Sequence, residues 1–181
     1  AFSMLKVDLN PGDTLVAEPG AMVAMSRFVQ MEAKLNASKG AGFLDKVKAV
    51  FAAAVRRILG GESFFVNYFQ TPQPGSVWLA PTMSGSIVHR RLNNSLITLS
   101  AGAYIASVGD LDVQVKYGGI QGLLAKEGLF FLEVRGTGEL FFNSFGGVEA
   151  IDVDGSYIVD NGHIVGWEGN LDYQITSAGG G

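Results

Sequence analysis

The chain has 181 residues and a net charge of −4, and 48% of its residues are apolar. It is long enough for one folded domain, and its apolar content excludes an intrinsically disordered chain. It contains no cysteine, which excludes disulfides and thiolate metal sites, and its acidic balance argues against nucleic acid as a partner. No window approaches the run of about 18 apolar residues that a membrane-spanning helix needs, and the first residues lack the pattern of a signal peptide.

Alternation of apolar and polar residues predicts half-buried strands at 29–35, 111–116 and 171–175. Turn signals separate the apolar runs at short intervals: Pro11-Gly12, Pro19-Gly20, Pro72 to Gly75, Asn93-Asn94, Gly118-Gly119 and Asp160 to Gly162. Many short strands at even spacing indicate an all-β protein, with a barrel or a sandwich as its architecture.

One segment departs from this pattern. Apolar residues fall at steps of three and four from Leu44 to Ile58, between the glycines that precede residue 43 and those at 60–61. This spacing predicts one amphipathic helix of about four turns over 43–59, inside an insertion that spans 36–61.

Two short sequence motifs recur in the same order and indicate an internal repeat. The first motif stands at 20–24, 102–106 and 155–159, and the second, rich in Phe, stands at 62–65 and 127–131. The second motif leads through a glycine-bearing turn to an aromatic strand, which predicts a hairpin in each of the first two units. The sequence therefore predicts one domain of three degenerate units at 1–81, 82–145 and 146–181, with the helix inserted in the first unit. In this scheme the third unit lacks its hairpin, which we expect beyond residue 181.

Several of these motifs together resemble one family, the bacterial and mitochondrial family named for altered inheritance of mitochondria. The resemblance covers nearly the whole chain and is carried by Pro19 to Met22, Gly61 to Phe65, Val77 to Pro81, and Val159 to His163 with Trp167-Glu168. It implies a fold like the tryptophan RNA-binding attenuation protein, in which short double-stranded β-helix or barrel units are arranged about a pseudo-threefold axis. It implies no enzymatic activity and hints at a scaffold role in mitochondrial biogenesis and membrane organisation.

The residues themselves offer little for catalysis or metal binding. His89 and His163 are the two histidines, too few for a zinc site, and the run 152–155 lacks the spacing of a calcium loop. Gly136-Thr137-Gly138 lacks the third glycine of a dinucleotide fingerprint. We therefore predict no catalytic residue, no cofactor and no metal site, and hence no enzyme.

Nine aromatic residues of the repeated hairpins allow two interpretations, a stacking platform for bases or sugars, or the core. The core is the favoured interpretation because aromatic residues in repeated strands usually bury their rings. They are Phe64, Phe65, Phe69, Trp78, Phe130, Phe131, Phe141, Phe142 and Phe145.

The predicted helix is basic in an acidic protein, since residues 37–61 hold five Lys and Arg residues and one Asp. One interpretation is a helix that caps a barrel end with a solvated face. The other is contact with an anionic membrane surface or an acidic partner, because each basic residue near an anionic surface contributes roughly 1 kcal/mol. The residues predicted to make this contact are Lys46, Lys48, Phe51, Arg56 and Arg57.

Two functions from different classes follow. The preferred one is a non-enzymatic structural or interaction protein, cytoplasmic in a bacterium, with a membrane-adjacent scaffold as its sharper form and homo-oligomers allowed. The alternative is a module that binds a small ligand in an apolar cavity between repeats or subunits.

Overall fold

The computed structural model describes residues 3–35, 65–117 and 130–174, and these ranges are nearly all β-structure, which confirms the predicted class. Their helical elements are two 3-10 turns, at Ala101–Ala103 and Asn161–His163. The strands are β1 (Leu5–Leu9), β2 (Thr14–Ala17), β3 (Met22–Met25), β4 (Gln30–Leu35), β5 (Phe65–Gln70), β6 (Gly75–Leu79), β7 (Ile87–Ser100), β8 (Tyr104–Tyr117), β9 (Phe130–Asn143) and β10 (Gly166–Glu168). The predicted helix insertion at 36–61 lies outside the described residues.

These strands form two antiparallel sheets. The smaller sheet has the order β1-β6-β3, and the larger sheet has the order β10-β7-β9-β8-β2-β5-β4. Both sheets are open: β10 and β4 are the two edges of the larger one within the described ranges. The prediction of a closed barrel is therefore wrong, because closure needs hydrogen bonds between edge strands that here end the sheet.

The alternating pattern identified two of three strands correctly. The stretch 29–35 contains β4, which begins at Gln30, and 111–116 lies within β8. The stretch 171–174 is not a strand, and Leu171 and Tyr173 are both exposed. Alternation alone does not make a strand: it also needs a neighbouring strand to pair with.

A long strand with a bulge replaces the turn predicted at Asn93-Asn94. Asn93-Asn94 forms a bulge inside the continuous β7, where Asn94 has a φ of 48° and the register with β9 shifts between Leu92 and Ser95. On β9, Gly136 has a φ of 132°, and a Cβ there would overlap the carbonyl oxygen of Asp110 on β8. The glycine permits the close approach of the two backbones at the bend.

The aromatic hairpins predicted for the first two units are wrong. In the first unit, β5 and β6 follow one another but lie in different sheets: β5 pairs with β2 and β4, and β6 pairs with β1 and β3. In the second unit, Gly138 lies inside the single strand β9. In the first unit the chain therefore passes from the larger sheet to the smaller one between β5 and β6, whereas in the second unit it continues through Gly138 as one strand.

Two clusters of buried side chains form the core. The first lies between the small sheet and the β2–β5 end of the large sheet, and includes Leu9, Leu15, Phe69 and Leu79. The second is enclosed by the bent strands β7, β8 and β9 and includes Leu99, Tyr104, Leu132, Leu140 and Phe142. Each cluster removes apolar area from water, which is the main stabilisation of such a fold.

The aromatic residues only partly follow the predicted burial. Phe69, Phe131 and Phe142 are buried, as expected for a core, and Trp78 and Phe141 are half-buried. Phe145 is 76% exposed, so the core prediction is wrong for this residue. Phe64 and the side chains of Phe65 and Phe130 lie outside the described residues.

Candidate functional site

The contact residues predicted from the basic segment, Lys46, Lys48, Phe51, Arg56 and Arg57, lie outside the described ranges. Their role therefore stays a prediction.

The two histidines stand apart on exposed surface. His89 on β7 lies with its Nε2 2.5 Å from Glu139 Oε2 and stacks on Phe141 at 4.9 Å between ring centroids. His163 Nδ1 lies 3.0 Å from Asp160 Oδ2, and this hydrogen bond is the main cause that lowers the pKa of Asp160. Each histidine thus orients one local carboxylate.

A cleft of about 580 Å³ opens beside the bulge of β7, and we name it the arginine cleft. Its lining includes three arginines, Arg90 and Arg91 on β7 and Arg135 on β9, together with Glu168, Gly169 and Asn170. Arg135 reaches this place because it is the cross-strand partner of Leu96, which follows the bulge closely. The fold thus assembles three positive charges that are up to 45 positions apart in the sequence.

Within the described ranges, carboxylates form ion pairs with two of these three arginines. Arg90 Nε donates a hydrogen bond to Glu168 Oε1 at 3.0 Å, and Arg91 Nε lies 3.5 Å from Glu139 Oε1. On β8, Asp112 stands opposite Arg135 in the register, and its Oδ2 accepts a hydrogen bond from Gln114 Nε2 at 2.7 Å.

Leu96, Gly169 and Asn170 also line a second cleft of about 220 Å³, which we name the aromatic cleft. Phe131 and Trp167 meet edge to face in it with ring centroids 4.9 Å apart, and Tyr173 lies 5.2 Å from Trp167. The two clefts therefore adjoin. Arginines line the first, and aromatic rings together with Glu133 and Asp172 line the second.

A second unusual feature is the stretch 145–160, which we name the acidic–apolar segment. It contains four acidic residues and no Lys or Arg. Ile158 is 93% exposed and Tyr157 60%, although such side chains are usually buried. The other exposed apolar residues of the segment are Phe145, Val148, Ile151, Val153 and Val159. Its residues 147–160 belong to no strand.

Exposed apolar side chains also lie on β4, which ends the large sheet opposite β10, and on β3, an edge strand of the small sheet. Val23 and Met25 on β3 and Met31 on β4 are exposed, and Arg27 lies in the turn between these strands. Each of the two strands has one neighbour within the described ranges, β6 for β3 and β5 for β4. We name these four residues the edge surface.

Within the three described ranges, no three His, Asp or Glu residues come together as a metal site would require, and no helix there is long and apolar enough to cross a membrane. The arrangement offers binding surfaces: a basic cleft, an aromatic cleft and two apolar surfaces of different charge.

Sequence reasoning missed both the arginine cleft and the acidic–apolar segment. His89, Arg90 and Arg91 are visible as a polar run, but Arg135 joins them only through the pairing of β7 with β9. For the acidic–apolar segment, the repeat pattern predicts the glycine turn and a strand of a third unit at 155–159, and this prediction is wrong because no strand forms there.

Three comparisons place this chain among known proteins. The sequence model described as Mitochondrial biogenesis AIM24 matches residues 1–181. An uncharacterised protein of Streptococcus pyogenes serotype M6 is 33% identical over 177 residues, which cover 96% of this chain and 69% of that protein. A crystal structure of a Streptococcus pyogenes protein is 32% identical with a TM-score of 0.71, covering 92% of this chain and 71% of that one.

Proposed function

The chain belongs to the mitochondrial biogenesis AIM24 family, and we propose that it is a non-enzymatic structural protein that assembles with further copies of itself. The acidic–apolar segment of one copy docks on the edge surface of the next. Because the two surfaces differ, the contact is heterologous and builds a ring or a filament.

The observation that carries this proposal is the exposure of the acidic–apolar segment. Single exposed apolar residues are normal, but a contiguous run that ends in Tyr157, Ile158 and Val159 is typical of an interaction surface. Full burial of one such side chain stabilises a contact by roughly 1.5–3 kcal/mol.

The charges and the edge strand both favour the edge surface as the docking site of the acidic–apolar segment. Pairing two acidic–apolar segments would bring four acidic residues against four, which disfavours a symmetric contact. The stretch 22–35 has two basic residues, Arg27 and Lys34, and one acidic residue, Glu32. Edge strands such as β4 also recruit an extended segment through their backbone groups.

Two variants test the contact from its two sides. We expect Tyr157→Ser with Ile158→Ser to abolish assembly, and Arg27→Glu to abolish it separately, as measured by light scattering after size exclusion over a range of concentrations. In a heterologous contact each variant keeps one intact surface, so a mixture of the two forms a dimer that does not grow further.

The control is Met83→Ser, since Met83 is 51% exposed and lies on neither surface. This variant assembles like the unchanged protein. A wild-type protein that stays monomeric at all concentrations, or a mixture of the two variants that stays monomeric, contradicts the proposal.

The finer architecture belongs to the same proposal. Three related units about a pseudo-threefold axis would give the chain an internal counterpart of such an assembly. Two observations support this. The first core cluster is built mainly from residues of 1–81, joined by Ile105 and Ala106, and the buried residues of the second all lie in 82–145. Gly20 and Gly155 also have similar positive φ values, 88° and 81°. Gly102 lies instead in a 3-10 turn.

A cytoplasmic location at the membrane periphery is also part of the proposal, and only the sequence of the basic segment 43–59 supports contact with the membrane. Liposome co-sedimentation with anionic lipid tests it. We expect binding that falls with added salt and with Lys46, Lys48, Arg56 and Arg57 changed to Gln, because exposed charges are screened. Equal sedimentation of both proteins contradicts membrane contact and leaves self-assembly intact.

A further inference from the structure

We propose that the arginine cleft binds the phosphate group of an organic phosphomonoester, whose organic part lies in the adjoining aromatic cleft. This site is separate from both surfaces of the proposed assembly, so it does not depend on that proposal.

The charge of the wall selects the ligand. Three arginines and one carboxylate, Glu168, line the arginine cleft, which leaves two positive charges in excess there. The carboxylates of Glu133 and Asp172 line the aromatic cleft, so the phosphate group is assigned to the arginine cleft and an uncharged organic part to the aromatic cleft. A phosphomonoester carries up to two negative charges near neutral pH, whereas a carboxylate carries one. Arginine also presents planar pairs of N–H donors that match phosphate oxygens.

Two of the three guanidinium groups keep donors for a ligand. Arg91 is 82% exposed, and its nearest carboxylate contact, with Glu139, is long at 3.5 Å. Arg135 makes no ion pair within 4.0 Å with any carboxylate of the described ranges. Arg90 is held by Glu168 and by the carbonyl of His89, so it is positioned before a ligand arrives.

The aromatic cleft distinguishes an esterified phosphate from the free ion. It is reached past Leu96, Gly169 and Asn170, which line both clefts. Trp167 and Tyr173 offer ring surface there, and ring contacts contribute beyond the buried area. An organic group attached to the phosphate therefore gains a contact that inorganic phosphate does not make.

Titration calorimetry with phenyl phosphate and with inorganic phosphate is the direct test. We expect phenyl phosphate to bind more tightly, and Arg91→Gln and Arg135→Gln each to weaken its binding about tenfold, as expected for loss of a charged hydrogen bond. Arg135→Lys keeps the charge and loses the fork, and it weakens binding as well.

Lys6→Gln is the matched control, because Lys6 lies on β1 in the other sheet and its removal changes net charge equally. It leaves the affinity unchanged. Thermal unfolding of every variant shows that the fold is retained. Absence of binding to the wild-type protein, or equal affinities for the arginine variants and the control, overturns the proposal.

A second arm identifies the source of the phosphate. Vesicles of phosphatidylcholine with and without phosphatidate are sedimented with protein in which the four basic residues of segment 43–59 are Gln. Phosphatidate-dependent binding that Arg91→Gln and Arg135→Gln remove assigns the site to a lipid headgroup. Phenyl phosphate binding without vesicle binding assigns it to a soluble phosphomonoester.

Discussion

The hydroxyl group of Tyr104 makes this fold lose stability as the pH becomes alkaline. Tyr104 is 1% exposed, and its hydroxyl donates to the carbonyl oxygen of Val16 at 3.2 Å and lies 2.8 Å from Ser107 Oγ. Burial is the main cause that raises the pKa of Tyr104 well above its usual value near 10, because the phenolate would lose its hydration.

The raised pKa fixes the direction of the pH effect. Above a pH of about 10 the unfolded chain loses the Tyr104 proton and the folded chain keeps it, so the unfolded state gains stability as pH rises. The contribution of Tyr104 is complete below a pH of about 10 and falls by about 1.4 kcal/mol for each further unit, until the pH reaches the raised pKa.

The variant Tyr104→Phe separates this effect from all other titrations. Near a pH of about 8 we expect its free energy of unfolding to be lower than that of the wild type by about 1 kcal/mol, because the two hydrogen bonds are lost. The variant therefore unfolds at a lower urea concentration. Near a pH of about 11 the difference shrinks or reverses, because only the wild-type protein pays about 1.4 kcal/mol for keeping the proton.

Urea unfolding followed by circular dichroism at both pH values measures the two differences. Tyr173→Phe is the control, since that side chain is 47% exposed. A difference between wild type and Tyr104→Phe that is the same at both pH values would refute the assigned burial of this hydroxyl.

Three further predictions follow from single contacts. Leu99→Ala in the second core cluster lowers the free energy of unfolding by about 3 kcal/mol in urea titrations, whereas Leu171→Ala on the surface changes it by less than about 0.5 kcal/mol; similar losses would contradict the assigned burial. Gly136→Val lowers the free energy of unfolding by at least about 2 kcal/mol, because its side chain meets the Asp110 carbonyl at a positive φ; an unchanged melting curve would exclude the bend at this residue. His163→Ala returns the pKa of Asp160 upward toward its ordinary value in an NMR titration, since the main hydrogen bond that lowers it is removed; an unchanged pKa would rule out that contact.

The amino-acid sequence determined the β class, two of the three alternating strands, and the turns at Pro11-Gly12 and Pro19-Gly20, where both glycines have a positive φ. These features depend on neighbouring residues, because side-chain alternation and the freedom of glycine act over two to four positions. The family resemblance also followed from the sequence, since its motifs are short and lie in a fixed order.

Tertiary structure alone decided which strands pair. Asn93-Asn94 has the composition of a turn, yet β9 pairs with β7 on both sides of it, so that the backbone continues through a bulge. The same pairing brings Arg135 to Arg90 and Arg91. The stretch 171–174 has the alternation of a strand but no neighbour within the described ranges, and it lines a cleft instead. Pairing between distant segments depends on the free energy of the whole sheet, which no local pattern contains.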